Sequence, residues 1–97
     1  MMVERKLLVT ARLGLHARAA AKVVRVAHGF NSKIELRRVD NSVSADATSI
    51  LSVLMLAASR GTVLHATVEG IDEEAAMDAI DNLFAQGFGE MEQESPK

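Results

Sequence analysis

The chain has ninety-seven residues, 48% of them apolar and only three aromatic, so one compact domain with a small aliphatic core is expected, without room for separate catalytic and substrate domains. A net charge of −2 with no long block of one sign argues against a nucleic-acid binder held by phosphate neutralisation and turns attention to protein partners. The absence of cysteine excludes disulfides and thiolate metal sites, and together with an amino end lacking a secretory apolar run and a longest apolar stretch (50–58) too short to cross a bilayer, it sets the expectation of a cytoplasmic protein with no membrane insertion.

Residues 6–10 form a β-favouring run around Leu7-Leu8-Val9, ended by a loop that contains Gly14. From Ala17 to Ala27 the apolar residues Ala20, Val23, Val24 and Ala27 recur at helical spacing while Arg18, Lys22 and Arg25 lie on other faces, which predicts an amphipathic helix. His28-Gly29 should close it, the glycine in a left-handed conformation and the histidine as a cap favoured by the helix dipole. Residues 33–39 and 42–45 flank the turn-forming Asp40-Asn41 and predict a hairpin. Ser49 stands where a side-chain oxygen can accept from the unpaired amides of a short second helix, expected to close at Gly61.

Leu64, Ala66 and Val68 alternate with His65 and Thr67, giving a fourth strand that ends at Gly70; His65, on its polar side, is expected to be solvated. Asp72-Glu73-Glu74 reads as the acidic amino end of a third helix rather than a metal site, with Ala76, Ile80, Leu83, Phe84 and Gly87 on one face. Residues 91–97 are polar, contain the only proline and show no apolar period, so a frayed tail is expected after a domain spanning 1–90. The order β-α-β-β-α-β-α implies an α+β domain with helices on one side of a mostly antiparallel sheet.

Of the three histidines, only His16 follows a glycine-containing loop and immediately precedes a helix, with Arg18 two residues on and no carboxylate nearby. A helix start presents unpaired amides and the positive end of the dipole, so the amides of Ala17 and Arg18 suit a phosphoryl group on the ring, and Arg18 can add a charge-assisted contact. A ring nitrogen is nucleophilic near neutral pH, and its bond to phosphorus breaks readily again. Taken by itself, though, a histidine before a helix is first of all a cap.

The run Gly14-Leu15-His16-Ala17-Arg18 resembles the active-site signature of the HPr family, phosphocarriers of the bacterial phosphoenolpyruvate-dependent phosphotransferase system, in its sugar or its nitrogen-related branch. The resemblance spans residues 4–90 and continues through Ser49-Ile50-Leu51-Ser52-Val53-Leu54-Met55-Leu56-Ala57-Ala58-Ser59-Arg60-Gly61 and Gly87-Phe88-Gly89-Glu90. Two motifs in the right order on an independently derived element pattern outweigh the capping reading. The resemblance implies an open-faced β-sandwich, four antiparallel strands covered on one face by three helices, and phosphoryl transfer from phosphorylated enzyme I to Nδ1 of His16 and on to an enzyme IIA-type acceptor. It implies a carrier rather than a free-standing enzyme, needing no cofactor or metal and acting as a monomer with transient contacts.

By the same resemblance Leu51 and Leu54, rimmed by Arg18 and Lys22, occupy the family's docking patch. Ser49 matches a serine that an HPr kinase phosphorylates in many low-GC Gram-positive bacteria, although the plain N-cap explanation is preferred for it. One departure stands out: the family's usual proline after the arginine is Ala19 here, which gives up a preset φ and adds an amide donor near the anion site. Two rival functions remain. One is a regulatory protein whose partner binding is controlled by phosphorylation of His16 or Ser49, and the other is a ferredoxin-like small-molecule binding module, which leaves the His16 to Arg18 motif unexplained.

Overall fold

A computed structural model of the chain describes residues 2–89; the tail expected at 91–97 lies outside the described residues. The elements run β1 (Met2–Leu8), α1 (Ala17–His28), β2 (Ser32–Arg38), β3 (Ser44–Asp46), α2 (Ile50–Met55), β4 (Val63–Gly70) and α3 (Glu73–Ala85), followed by a tight turn at Gly87–Gly89. The strands form one antiparallel sheet in the order β1-β4-β2-β3, so β4 enters between the first two strands of the chain. This is the open-faced α+β sandwich expected from the sequence.

Period-two alternation decides which side is covered. Leu7, Ile34, Leu36, Ala45, Leu64, Ala66 and Val68 point to the buried side, where they meet Ala20, Val23 and Ala27 of α1, Val53 of α2 and Ala76, Met77, Ile80 and Phe84 of α3. Phe84 and Phe88 pack edge to face with centroids 4.9 Å apart. Each such fully buried large side chain contributes roughly 1.5–3 kcal/mol, so two phenylalanines anchor a core otherwise built from small aliphatic groups. On the open side Glu4, Lys6, Lys33, Glu35 and Glu69 stay in water.

Several expectations need correction. The first strand begins at Met2, not Lys6, because its charged residues alternate with the sheet: Glu4 and Lys6 take the open side, and Arg5 on the other reaches α3, donating to Asp81 at 2.7 Å and Asp78 at 3.3 Å. Gly29 is not left-handed (φ −81°); α1 closes with the Gly29 N–H on the Val26 carbonyl, and His28 reaches across to the Thr48 carbonyl at 3.1 Å. The third strand begins at Ser44 rather than Ser42, since Ser42 (φ 63°) belongs to the turn that Asn41 closes by accepting from the Val43 amide.

The second helix ends well before Gly61. Ala57 takes φ 50°, and Arg38 of β2 donates to the Leu56 and Ala57 carbonyls at 3.0 and 3.1 Å while holding Asp40 in a two-pronged ion pair. A cation on the last carbonyls of a helix satisfies groups that have no partner within it, so the end of α2 is set from outside the helix. The neighbouring guanidinium also keeps the Asp40 carboxyl below its ordinary range. His65 is not simply solvated: it is half-buried between Arg37 (3.2 Å to Nδ1) and Glu4 (3.1 Å to Nε2), in a chain that crosses β2, β4 and β1.

Candidate functional site

The loop between β1 and α1 is held at the end of α2 by a close backbone approach. The Leu15 N–H donates to the Ala58 carbonyl at 2.8 Å, and Gly14 adopts φ +70° with so little space that a Cβ there would lie 2.7 Å from the Ala58 oxygen. Only glycine fits both conditions. Leu15 is buried, which fixes the last residue before the histidine.

His16 then occupies the N-cap of α1 in extended backbone (φ −83°, ψ −175°), its carbonyl accepting from Ala20 at 2.7 Å. Its Nδ1 accepts from the Arg18 amide at 3.3 Å. Accepting requires an unprotonated Nδ1, so the neutral ring carries its proton on Nε2 and turns the Nδ1 lone pair toward the helix amino end.

Among the described residues no hydrogen bond engages the Ala17 and Ala19 N–H groups, and no acidic side chain lies in the first turn of α1. Three consecutive amides and the positive end of a twelve-residue helix therefore converge beside His16. Ala19 is fully buried, and its backbone N–H has no hydrogen bond among the described residues. Arg18 is exposed on the same turn.

The other candidates divide. Leu51 is 66% exposed, whereas Leu54 is half-buried against the core. Val53 and Leu56 supply the core contacts of this short helix, and Met55, four residues on from Leu51, is 69% exposed on the same ridge. Leu13 in the clamped loop is 63% exposed and Ile50, the first residue of α2, 44% exposed; sequence reasoning missed both, although an apolar residue beside a loop glycine was a visible signal.

Lys22 is half-buried, and its ammonium donates to the Phe88 carbonyl at 2.6 Å, tying α1 to the turn after α3 rather than rimming the patch with a wholly unengaged charge. Ser49 caps α2, its Oγ accepting from the Ser52 amide at 3.3 Å, as the N-cap explanation requires. Among the described residues no cluster of three or more metal-ligating side chains occurs, and no helix is long and apolar enough to cross a membrane.

A family model described as the PTS HPr component phosphorylation site matches residues 3–86. The chain belongs to the HPr family. It is 45% identical over 89 residues to the phosphocarrier protein HPr of Xylella fastidiosa, covering 92% of this chain and 98% of that protein. It is also 36% identical over 90 residues to the phosphocarrier protein NPr of Escherichia coli K12, covering 93% and 99%. Among solved structures it is similar to an HPr from Thermoanaerobacter tengcongensis, with a TM-score of 0.83 and 37% identity over 90% of this chain and 96% of the other. As an HPr-family member the chain has a phosphocarrier role in the phosphotransferase system, and its open sandwich is the fold of the HPr structures.

Proposed function

We propose that His16 is the phosphoryl acceptor and donor of this phosphocarrier, receiving the group from phosphorylated enzyme I on Nδ1 and passing it to an enzyme IIA-type acceptor. The observation that carries the proposal is the Arg18 amide on Nδ1, which leaves that nitrogen unprotonated and aimed at the helix amino end. The Nδ1 lone pair attacks phosphorus as the bond to the donor's leaving group breaks, and the reverse displacement delivers the phosphoryl group onward. Once Nδ1 is bonded to phosphorus it no longer accepts from Arg18; that amide, with those of Ala17 and Ala19, faces the phosphoryl oxygens, and the Arg18 guanidinium lies on the same turn.

Leu13, Leu51 and Met55 form the apolar part of the partner-facing surface, supporting weak contacts that release after each transfer. The transferring species is a single chain meeting one partner at a time, in the cytoplasm. The regulatory alternative through Ser49 and a kinase finds less support, because the Ser49 hydroxyl already caps α2.

The test is incubation of the full chain with enzyme I, magnesium and phosphoenolpyruvate. An acid-labile gain of one phosphoryl mass is expected for the wild type and none for His16→Ala. No gain in the wild type, with an enzyme I shown to be active on another carrier, would refute the assignment.

A further inference from the structure

The guanidinium of Arg38 is anchored at all three of its nitrogens. Nε and Nη2 hold the two Asp40 oxygens at 2.9 and 2.7 Å, while Nη1 donates to the Leu56 carbonyl at 3.0 Å and the Ala57 carbonyl at 3.1 Å. The side chain is only 17% exposed, and the backbone is fixed in the hairpin, the Arg38 N–H donating to the Val43 carbonyl and its C=O accepting from the Ser42 amide. Arg38 thus ties a well-held end of β2 to the residues that lead out of α2, where carbonyls have no partner within the helix.

The tie falls on a strained point. Ala57 takes φ 50°, a left-handed conformation that is unfavourable for alanine and persists only where the surroundings over-determine it. The next carbonyl, that of Ala58, accepts from the Leu15 N–H at 2.8 Å, and Leu15 immediately precedes His16. Relaxation of Ala57 would rotate the Ala58 carbonyl, so the bonds that hold Ala57 also aim the acceptor that holds the histidine loop.

We propose that Arg38, braced by Asp40, is a positioning residue for phosphoryl transfer: by keeping Ala57 left-handed it keeps the Ala58 carbonyl on Leu15 and His16 aligned at the start of α1. The inference rests on His16 being the transferring residue. Among the described residues the side-chain hydrogen bonds of Arg38 end on Asp40, Leu56 and Ala57, so it acts through the backbone and not on the reacting atoms. Lysine cannot replace it, because a single ammonium lacks the planar fork that serves a carboxylate and two carbonyls at once.

The test is single-turnover transfer from phosphorylated enzyme I to the full chain at varied carrier concentration, with circular dichroism confirming that each variant is folded. Arg38→Met should lower the limiting rate about tenfold while the half-saturating concentration stays within about threefold, and Arg38→Lys should behave alike. Glycine takes a positive φ without penalty, so Ala57→Gly alone should transfer like wild type and, added to Arg38→Met, should recover most of the lost rate. A residue serving stability alone leaves the rate of the folded chain unchanged and gives no such rescue. Hydrogen exchange at the Leu15 amide, read on the unphosphorylated chain, should rise in Arg38→Met and fall back in the double variant. No transfer by the wild type, with an enzyme I active on another carrier, would overturn the His16 assignment and this proposal together. Wild-type transfer matched by Arg38→Met, a loss confined to the half-saturating concentration, or a double variant no faster than Arg38→Met would overturn this proposal and leave His16 as the carrier.

Discussion

Gly14→Ala should damage both stability and transfer, and Gly61 provides the control that separates the reasons. Both glycines have positive φ, +70° and +93°, so alanine at either position carries a left-handed penalty of roughly 1–2 kcal/mol. At Gly61 a new Cβ meets nothing within 4 Å. At Gly14 it meets the Ala58 oxygen at 2.7 Å and the Ser59 Cα at 2.9 Å, both backbone, so relief requires moving the loop away from α2 and stretching the Leu15 to Ala58 hydrogen bond. That adds about 1 kcal/mol for the hydrogen bond and about 1–3 kcal/mol for the overpacking. In urea unfolding Gly61→Ala should therefore lose about 1–2 kcal/mol and Gly14→Ala about 3–6 kcal/mol. Displacing the loop also displaces His16, and loss of alignment of this kind can slow a reaction by up to about 100-fold. Rapid-quench transfer from phosphorylated enzyme I should show Gly14→Ala at least about tenfold slower and Gly61→Ala unchanged. Equal losses for the two variants in both assays would refute the claim that the approach to Ala58 positions the histidine.

Capping and chemistry at His16 should separate. His16→Asn keeps an N-cap acceptor and should melt within a few degrees of wild type, while His16→Ala loses about 1 kcal/mol, which for a chain of this size is a Tm drop of about 4–8 °C by calorimetry; neither variant should accept phosphate. Ser49→Ala should likewise lose about 1 kcal/mol in urea unfolding through the cap on Ser52, with transfer from enzyme I preserved. Lys22→Met removes a charged donor from the Phe88 carbonyl and should lose about 1–2 kcal/mol, with hydrogen exchange rising at residues 86–89. Asp72 accepts from the Ser32 hydroxyl and the Asn31 amide, which hold its carboxyl below the ordinary range. Its folded-state pKa is thus depressed, so its contribution is complete above the unfolded carboxylate range near about 4 and is lost as pH falls through the folded value. Asp72→Asn should accordingly flatten the acid limb of the stability curve, read by fluorescence-free far-ultraviolet circular dichroism, and leave the neutral region little dependent on pH.

How much was legible in the sequence depended on how far apart the deciding groups lie. The faces of α1 and β4 could be read because period and burial are local: Val23, Ala27, Leu64 and Val68 face the core where their spacing puts them. The Ser49 cap was readable for the same reason, its partner being three residues away. The end of α2 was not, because what closes it is Arg38, eighteen residues earlier, on a strand whose position needs the whole sheet. His65 and the start of β1 failed together. Both depend on the β1 to β4 register, which brings Glu4 within reach of a histidine sixty-one positions along the chain and lets a charged amino end remain a strand.

The histidine itself was found by motif, but its geometry adds what the motif lacks. In the unphosphorylated chain one atom, Nδ1, both caps α1 and carries the lone pair needed for attack. On the proposed assignment the cap is lost at each phosphorylation, and the Arg18 amide regains an acceptor only because the transferred group brings oxygens with it. The Arg18 amide is then satisfied by the imidazole before transfer and by the phosphoryl group after it, so neither state leaves it without a partner. That near-balance suits a carrier, since a site that bound the phosphorylated form far more tightly than the free form would resist passing the group on. The missing proline fits the same logic: the Ala19 amide adds a donor to the phosphorylated state alone, so Ala19→Pro should speed onward transfer to an acceptor and lower the equilibrium fraction of phosphorylated carrier. Rapid-quench measurement of both quantities decides it, and an unchanged fraction would mean that the third amide does not contact the phosphoryl group.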